Sequence, residues 1–168
     1  LQRRDLSLML RKFGVLLHRW LGLGVAAFLF IAGLTGAFIS WDHELDAWLN
    51  PQLFEPATQG EPLPVETLIA RLEAEDPRLM VTFSPLEVEP GHALLVSVTG
   101  RIDPATGKAF PLNFNQVALD PVTGDVQGRR EWGAISLSRE NLLPFLYKLH
   151  YTMHLPDVKG VELGMWFM

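Results

Sequence analysis

The sequence predicts a membrane α+β chain. An N-terminal transmembrane helix is followed by a small extracytoplasmic unit of one helix plus an antiparallel β-meander. A further helix then leads into a second transmembrane segment. Three observations carry this expectation: charge is absent from one long stretch, hydrophobic periodicity switches from helical to alternating and back, and the last residues turn apolar again. The totals alone are bland. The 168 residues are 48% hydrophobic with a formal net charge of −5, and mean hydropathy is +0.16, so the information lies in how the residues are distributed.

From Trp20 to Trp41 the run LGLGVAAFLFIAGLTGAFIS contains no charged residue. As a helix this stretch of about 22 residues extends roughly 33 Å, enough to cross a bilayer core. A cleaved signal peptide is the alternative, but its apolar core is shorter, about 7–15 residues, and no small-residue cleavage pattern precedes the acidic WDHELD. Arg3, Arg4, Arg11, Lys12 and Arg19 precede the span, whereas Asp42, Glu44 and Asp46 follow it. Basic flanks stay cytoplasmic, so the N-terminus is expected inside and the segment after residue 41 outside the cytoplasm. Trp20 at one end, with Trp41 and Trp48 at the other, fits the two headgroup levels.

Taken in order, residues 1–12 read as a basic cytoplasmic tail and 13–41 as the first span, with helix extending over 5–41. WDHELDAWLNPQLF keeps helical character and breaks at Asn50-Pro51. Residues 42–138 form the extracytoplasmic domain. In it Val65, Leu68, Ile69 and Leu72 recur at helical spacing behind Pro64, and Glu66, Glu73 and Glu75 read as the solvated face. LMVTF, ALLVSVTG, QVALD and DVQG then read as strands. The repeat IDPATGK and LDPVTGD supplies two turns, each with an Asp to cap, a Pro to fix φ and a Gly for a left-handed position. Residues 139–156 read as a membrane-proximal helix, capped by Ser138 or Asn141 and carrying Leu142, Phe145, Leu149 and Met153 on one side. Residues 157–168 head back toward lipid as the start of a second span, so the chain reads as the N-terminal part of a longer membrane protein.

Exclusions are as informative. Without cysteine there is no disulfide framework, thiolate metal site, cysteine nucleophile or covalent haem attachment. Basic residues cluster only in the tail, which argues against nucleic acid. Serine-hydrolase, phosphate-loop and dinucleotide signatures are missing. Histidine carries what chemistry remains. His18, in LLHRWLGLG, lies on a face with Gly22, Ala26, Leu29, Gly33 and Gly36, where small residues admit another helix or a flat cofactor; an interfacial histidine beside Arg19 is the plainer alternative. His150 and His154, in LHYTMHLP, stand at i and i+4, a spacing that suits zinc or haem iron, though surface pairs at this spacing are common. A zinc protease needs Glu after the first His, and Tyr151 is there instead. Haem iron takes a ligand from each side of its ring. His43 and His92 read as bystanders.

Together, LHRWLGL entering a span with LTG near its far end, the helix and meander with DPxTG turns, and LHYTMHLP before an apolar segment resemble the PepSY-associated transmembrane family of bacterial inner-membrane proteins. The resemblance covers nearly the whole chain and implies a PepSY-like domain over residues 42–138. It further implies an oxidoreductase role in iron uptake: a haem b electron-transfer protein that reduces a ferric siderophore, fed by an unknown electron donor. By position His18 would serve a haem near the cytoplasmic side, and His150 or His154 one near the periplasmic side, with partner ligands on later spans. A different class remains open, a non-enzymatic membrane-anchored module that binds or restrains a partner such as a protease.

Overall fold

The computed structural model describes residues 2–155, 157, 158, 161, 162 and 164. Helix α1 runs without interruption over Gln2–Ile39. Its Leu6–Ile39 stretch has a mean hydropathy of 2.1 and is long and apolar enough to cross a membrane. Leu21, Phe30 and most of its other large apolar side chains are uncovered by protein, the pattern of a helix that lipid must solvate. The chain turns at Ser40-Trp41, and α2 (Asp42–Leu49) and α3 (Pro51–Phe54) follow. Their boundary falls at Asn50-Pro51, because proline has no N–H to continue the preceding ladder.

The domain that follows α3 is built on four antiparallel strands in the order β1-β2-β3-β4: Leu79–Phe83, Leu94–Gly100, Gln116–Leu119 and Val126–Arg130. Helix α4 (Val65–Glu75) lies on one face. Leu68 and Leu72 meet Leu79, Leu94, Val96, Val98, Val117 and Leu119 there in one buried cluster, as the period of two along β2 demands. The opposite face is covered by α3. Ala118 pairs with Gly128 in the β3–β4 ladder, and a side chain at Gly128 would collide with Leu53, its Cβ lying 2.5 Å from Leu53 Cδ2. The strand glycine is what admits α3.

The two DPxTG segments fold as capped turns. Asp103 accepts from the Ala105 amide and the Thr106 hydroxyl, both at 2.9 Å, and Gly107 has φ +68°. Asp120 accepts from the Val122 and Thr123 amides at 2.8 and 2.9 Å, with Gly124 at φ +82°. The acids of α4 are less uniform than the sequence suggests. Glu66 and Glu75 are exposed, but Glu73 accepts from the Val81 amide at 2.9 Å and pairs with Arg101 at 2.6 Å, clamping α4 to the sheet.

After a short 3-10 turn at Arg139–Asn141, α5 covers Leu142–Thr152 and packs along α1. Of the expected second span, residues 157–158 and 161–162 form a pair of two-residue strands, β5 and β6. Residues 159, 160, 163 and 165–168 lie outside the described residues. Among the described residues α1 is the one helix long and apolar enough to cross a membrane.

Candidate functional site

The histidines define the site, and the structure treats them differently. His150, in the last turns of α5, packs into the C-terminal half of α1. Its Nδ1 lies 3.1 Å from the Ala32 carbonyl oxygen and 3.1 Å from Thr35 Oγ1. A carbonyl only accepts, so Nδ1 carries the proton. The Thr35 hydroxyl already donates to the Ile31 carbonyl at 2.8 Å, which leaves its oxygen free to accept from the same N–H. In the neutral ring the lone pair is therefore on Nε2, to which no described residue bonds. Gly36 makes this approach possible: a Cβ there would sit 3.1 Å from His150 Cε1. Small residues on this face had been expected to admit a bulky neighbour, and at Gly36 that neighbour is an imidazole.

His154 does not share a helix face with His150, because α5 ends at Thr152. Met153 and His154 both adopt left-handed φ, 52° and 51°, which turns the chain back on itself. The His154 ring then stacks on Phe145 with centroids 4.5 Å apart, and its Nε2 lies 3.0 Å from the Phe145 carbonyl, to which it donates. Met153 consequently leaves the apolar stripe and lines an open apolar groove of about 390 Å³ with Gly24, Val25, Phe28 and Leu155. His18 is exposed on α1, toward the other end of the span. Gly14 and Gly22, one turn to either side, have open space beside them. His18 and Thr35 are separated by roughly 25 Å along the helix axis.

Beyond the end of α1, a polar knot fixes α2 to the sheet. Asp46 and Arg130 form a buried ion pair at 2.5 Å, with side chains 7% and 4% exposed. Arg130 also donates to Gln116 Oε1 at 2.8 Å, while the Asn50 amide reaches Asp46 at 2.7 Å and the Arg139 carbonyl at 3.0 Å. The knot holds β4, α2 and the start of α5 in one arrangement, and so sets where His150 meets α1. Sequence reading missed it because Asp46 looked like one more acid after the span. It also set His43 and His92 aside, yet their rings lie 5.8 Å apart, with His43 edge-on to Phe54 at 5.4 Å. Nothing in either local sequence signals that meeting. Among the described residues no cluster of three or more His, Asp or Glu side chains is placed to hold a metal ion.

A helix able to span a membrane, a helix-and-meander domain beyond its end, and a downstream helix returning a histidine to the span define a membrane protein organised around its first helix. The family model described as PepSY-associated TM region matches residues 15–168, and the chain belongs to that family. No curated protein matches it in sequence.

Proposed function

We propose that the protein is an inner-membrane electron-transfer component in which His150 would hold haem b, serving reduction of ferric siderophores on the periplasmic side. The observation that carries this reading is the state of the His150 ring. Its Nδ1–H is held by a backbone carbonyl and a hydroxyl of α1, the outer-shell arrangement that fixes tautomer and orientation in metal-binding histidines. The lone pair on Nε2 is left for iron. An ionisable side chain within the length of a span ordinarily marks a functional path. His154 is the weaker candidate, since its Nε2 is engaged by Phe145 O. His18, exposed beside Gly14 and Gly22, has room for a flat group toward the cytoplasmic side.

When bound, haem would supply one-electron chemistry at a potential tuned by ligand and burial. Reducing Fe(III) to Fe(II) weakens its hold on hard oxygen ligands, which is how a ferric chelate would release its metal. The chain's own part is to orient His150, exclude water from its ring and supply an apolar wall through α1 and α5. A second ligand for the iron would come from another helix.

Visible spectra of the detergent-purified protein, oxidised and dithionite-reduced, test the reading. Haem bands that persist in His154→Ala and fall in His150→Ala support it. A well-folded preparation without haem bands sinks it. That result would favour the other reading, a module that holds a partner protein. For that, the relevant feature is the apolar surface at the end of β1 and in the loop after it, where Phe83 and Leu86 are 67% and 95% exposed.

A further inference from the structure

His43 and His92 come from separate parts of the chain, α2 and the loop before β2, and meet at the mouth of a cavity of about 230 Å³ that both line. We propose that this pair is a binding site for a first-row divalent transition cation, outside the membrane and separate from His18 and His150. The argument has three parts.

The first is the donor set. His92 Nδ1 lies 3.2 Å from the Pro90 carbonyl oxygen. A carbonyl cannot donate, so Nδ1 holds the proton and the Nε2 lone pair is free. Glu89 Oε2 stands 3.9 Å from the same Nδ1. A histidine whose second nitrogen is held by a carbonyl with a carboxylate behind it has the outer shell of a metal ligand.

The second part is spacing. Two imidazoles on one cation, each with nitrogen about 2.0–2.1 Å from it, place their ring centres about 5–6 Å apart, and here they are 5.8 Å apart. Phe54, edge-on to His43 at 5.4 Å, limits how far that ring swings.

The third part is charge. Glu87 and Glu89 line the cavity and no Lys or Arg does; in the adjoining cavity that His43 also lines, Arg130 is paired with Asp46, which leaves Asp42 as its unpaired acid among the described residues. Imidazole with carboxylate selects the borderline cations of the first transition row over calcium or magnesium. Two protein nitrogens are fewer than the four ligands of a closed structural zinc site. The remaining positions fall to water or to a Glu87 carboxylate swung inward, so this is a site for exchange and not for structure. It stands whether or not the protein carries haem.

The test uses the full chain in detergent, stripped of metal and titrated with Zn²⁺ by calorimetry, zinc being redox-silent toward any haem. One equivalent should bind. His43→Ala and His92→Ala should each weaken binding about tenfold or more, with Glu44→Gln, an exposed acid on the same helix, leaving it unchanged. His43→Gln and His92→Gln, which keep most of the side-chain volume, guard against misfolding, and circular dichroism checks each preparation. Folded wild-type protein that binds no Zn²⁺ would overturn the site. So would binding that survives in the His43→Gln/His92→Gln double variant, since the two rings would then be packing against each other and nothing more.

Discussion

Asp120 illustrates how one buried side chain can hold two segments together. Its carboxylate, 2% exposed, accepts from Val122 and Thr123 in its own turn and from the Thr58 amide at 2.6 Å across the domain. Burial alone would raise its pKa, but the backbone donors at Thr123, Val122 and Thr58 outweigh it and hold the pKa below the ordinary carboxylate value of 3.8. A folded pKa below the unfolded one contributes stability that is fully present above the unfolded value and lost as pH falls through the folded value. Asp120→Asn, which sets an NH₂ group against backbone donors, should cost about 2 kcal/mol near neutral pH. The gap in melting temperature between wild type and variant should hold steady above pH about 4 and narrow below it. A gap unchanged in stronger acid would show that the carboxylate's charge is not what the amides recognise. Asp76, brought down to about 2 chiefly by its side-chain hydrogen bond with Arg78, titrates in the same region but is common to both proteins. The cap itself was legible from D-P-x-T-G, since Asp, Pro and Gly have separate backbone reasons to occupy those places. The bond to Thr58 was not, because a tertiary contact leaves no periodic trace in either segment.

Between elements, the decisive contacts are α2 against β4 and α5 against α1. The Asp46–Arg130 pair is buried, and a buried charge that loses its partner is costly. Asp46→Ala should destabilise the domain by about 3–5 kcal/mol, whereas Asp46→Leu combined with Arg130→Met should cost clearly less. A double-mutant cycle of unfolding free energies measures the difference. If the double variant is as unstable as the sum of its parts, the pair is not coupled. The α1–α5 contact rests on Gly36. Gly36→Val puts new methyl groups where His150 Cε1 stands and should lower the melting temperature and displace α5. Gly33→Val, with open space beside it, should leave both nearly unchanged. Equal effects at the two glycines would mean that His150 does not depend on this approach. The elements themselves were largely readable: Val65–Glu75, Leu79–Phe83 and the break at Asn50-Pro51 fall where periodicity and proline place them. The end of α5 was not. Thr152, Met153 and His154 carry no glycine or proline to announce a left-handed turn, and the i,i+4 spacing of His150 and His154 therefore looked helical when only the first of them is.

At the scale of the whole molecule, one helix separates a basic tail from a folded domain, and the proposed chemistry depends on which side each occupies. The excess of Arg and Lys before residue 20, and the acids that follow Trp41, match the bias that orients most short-tailed membrane helices, and the orientation we propose on that ground has the tail in the cytoplasm. The structure strengthens the contrast in one respect and weakens it in another. The domain beyond Trp41 is a helix–sheet unit with its own core, so the two flanks of α1 differ in fold as well as in charge. Asp46, however, is neutralised by Arg130 and adds no net charge to the flank. Because the chain has no cysteine, a single introduced thiol reports its own side of the membrane. Leu86→Cys, on a loop residue 95% exposed, should react with a membrane-impermeant maleimide in intact spheroplasts. Lys12→Cys, exposed on the first turns of α1, should react only after the membrane is opened. The reverse pattern would put the domain in the cytoplasm and His150 near the inner face. The proposed reduction of a ferric siderophore in the periplasm would then have no surface on which to occur.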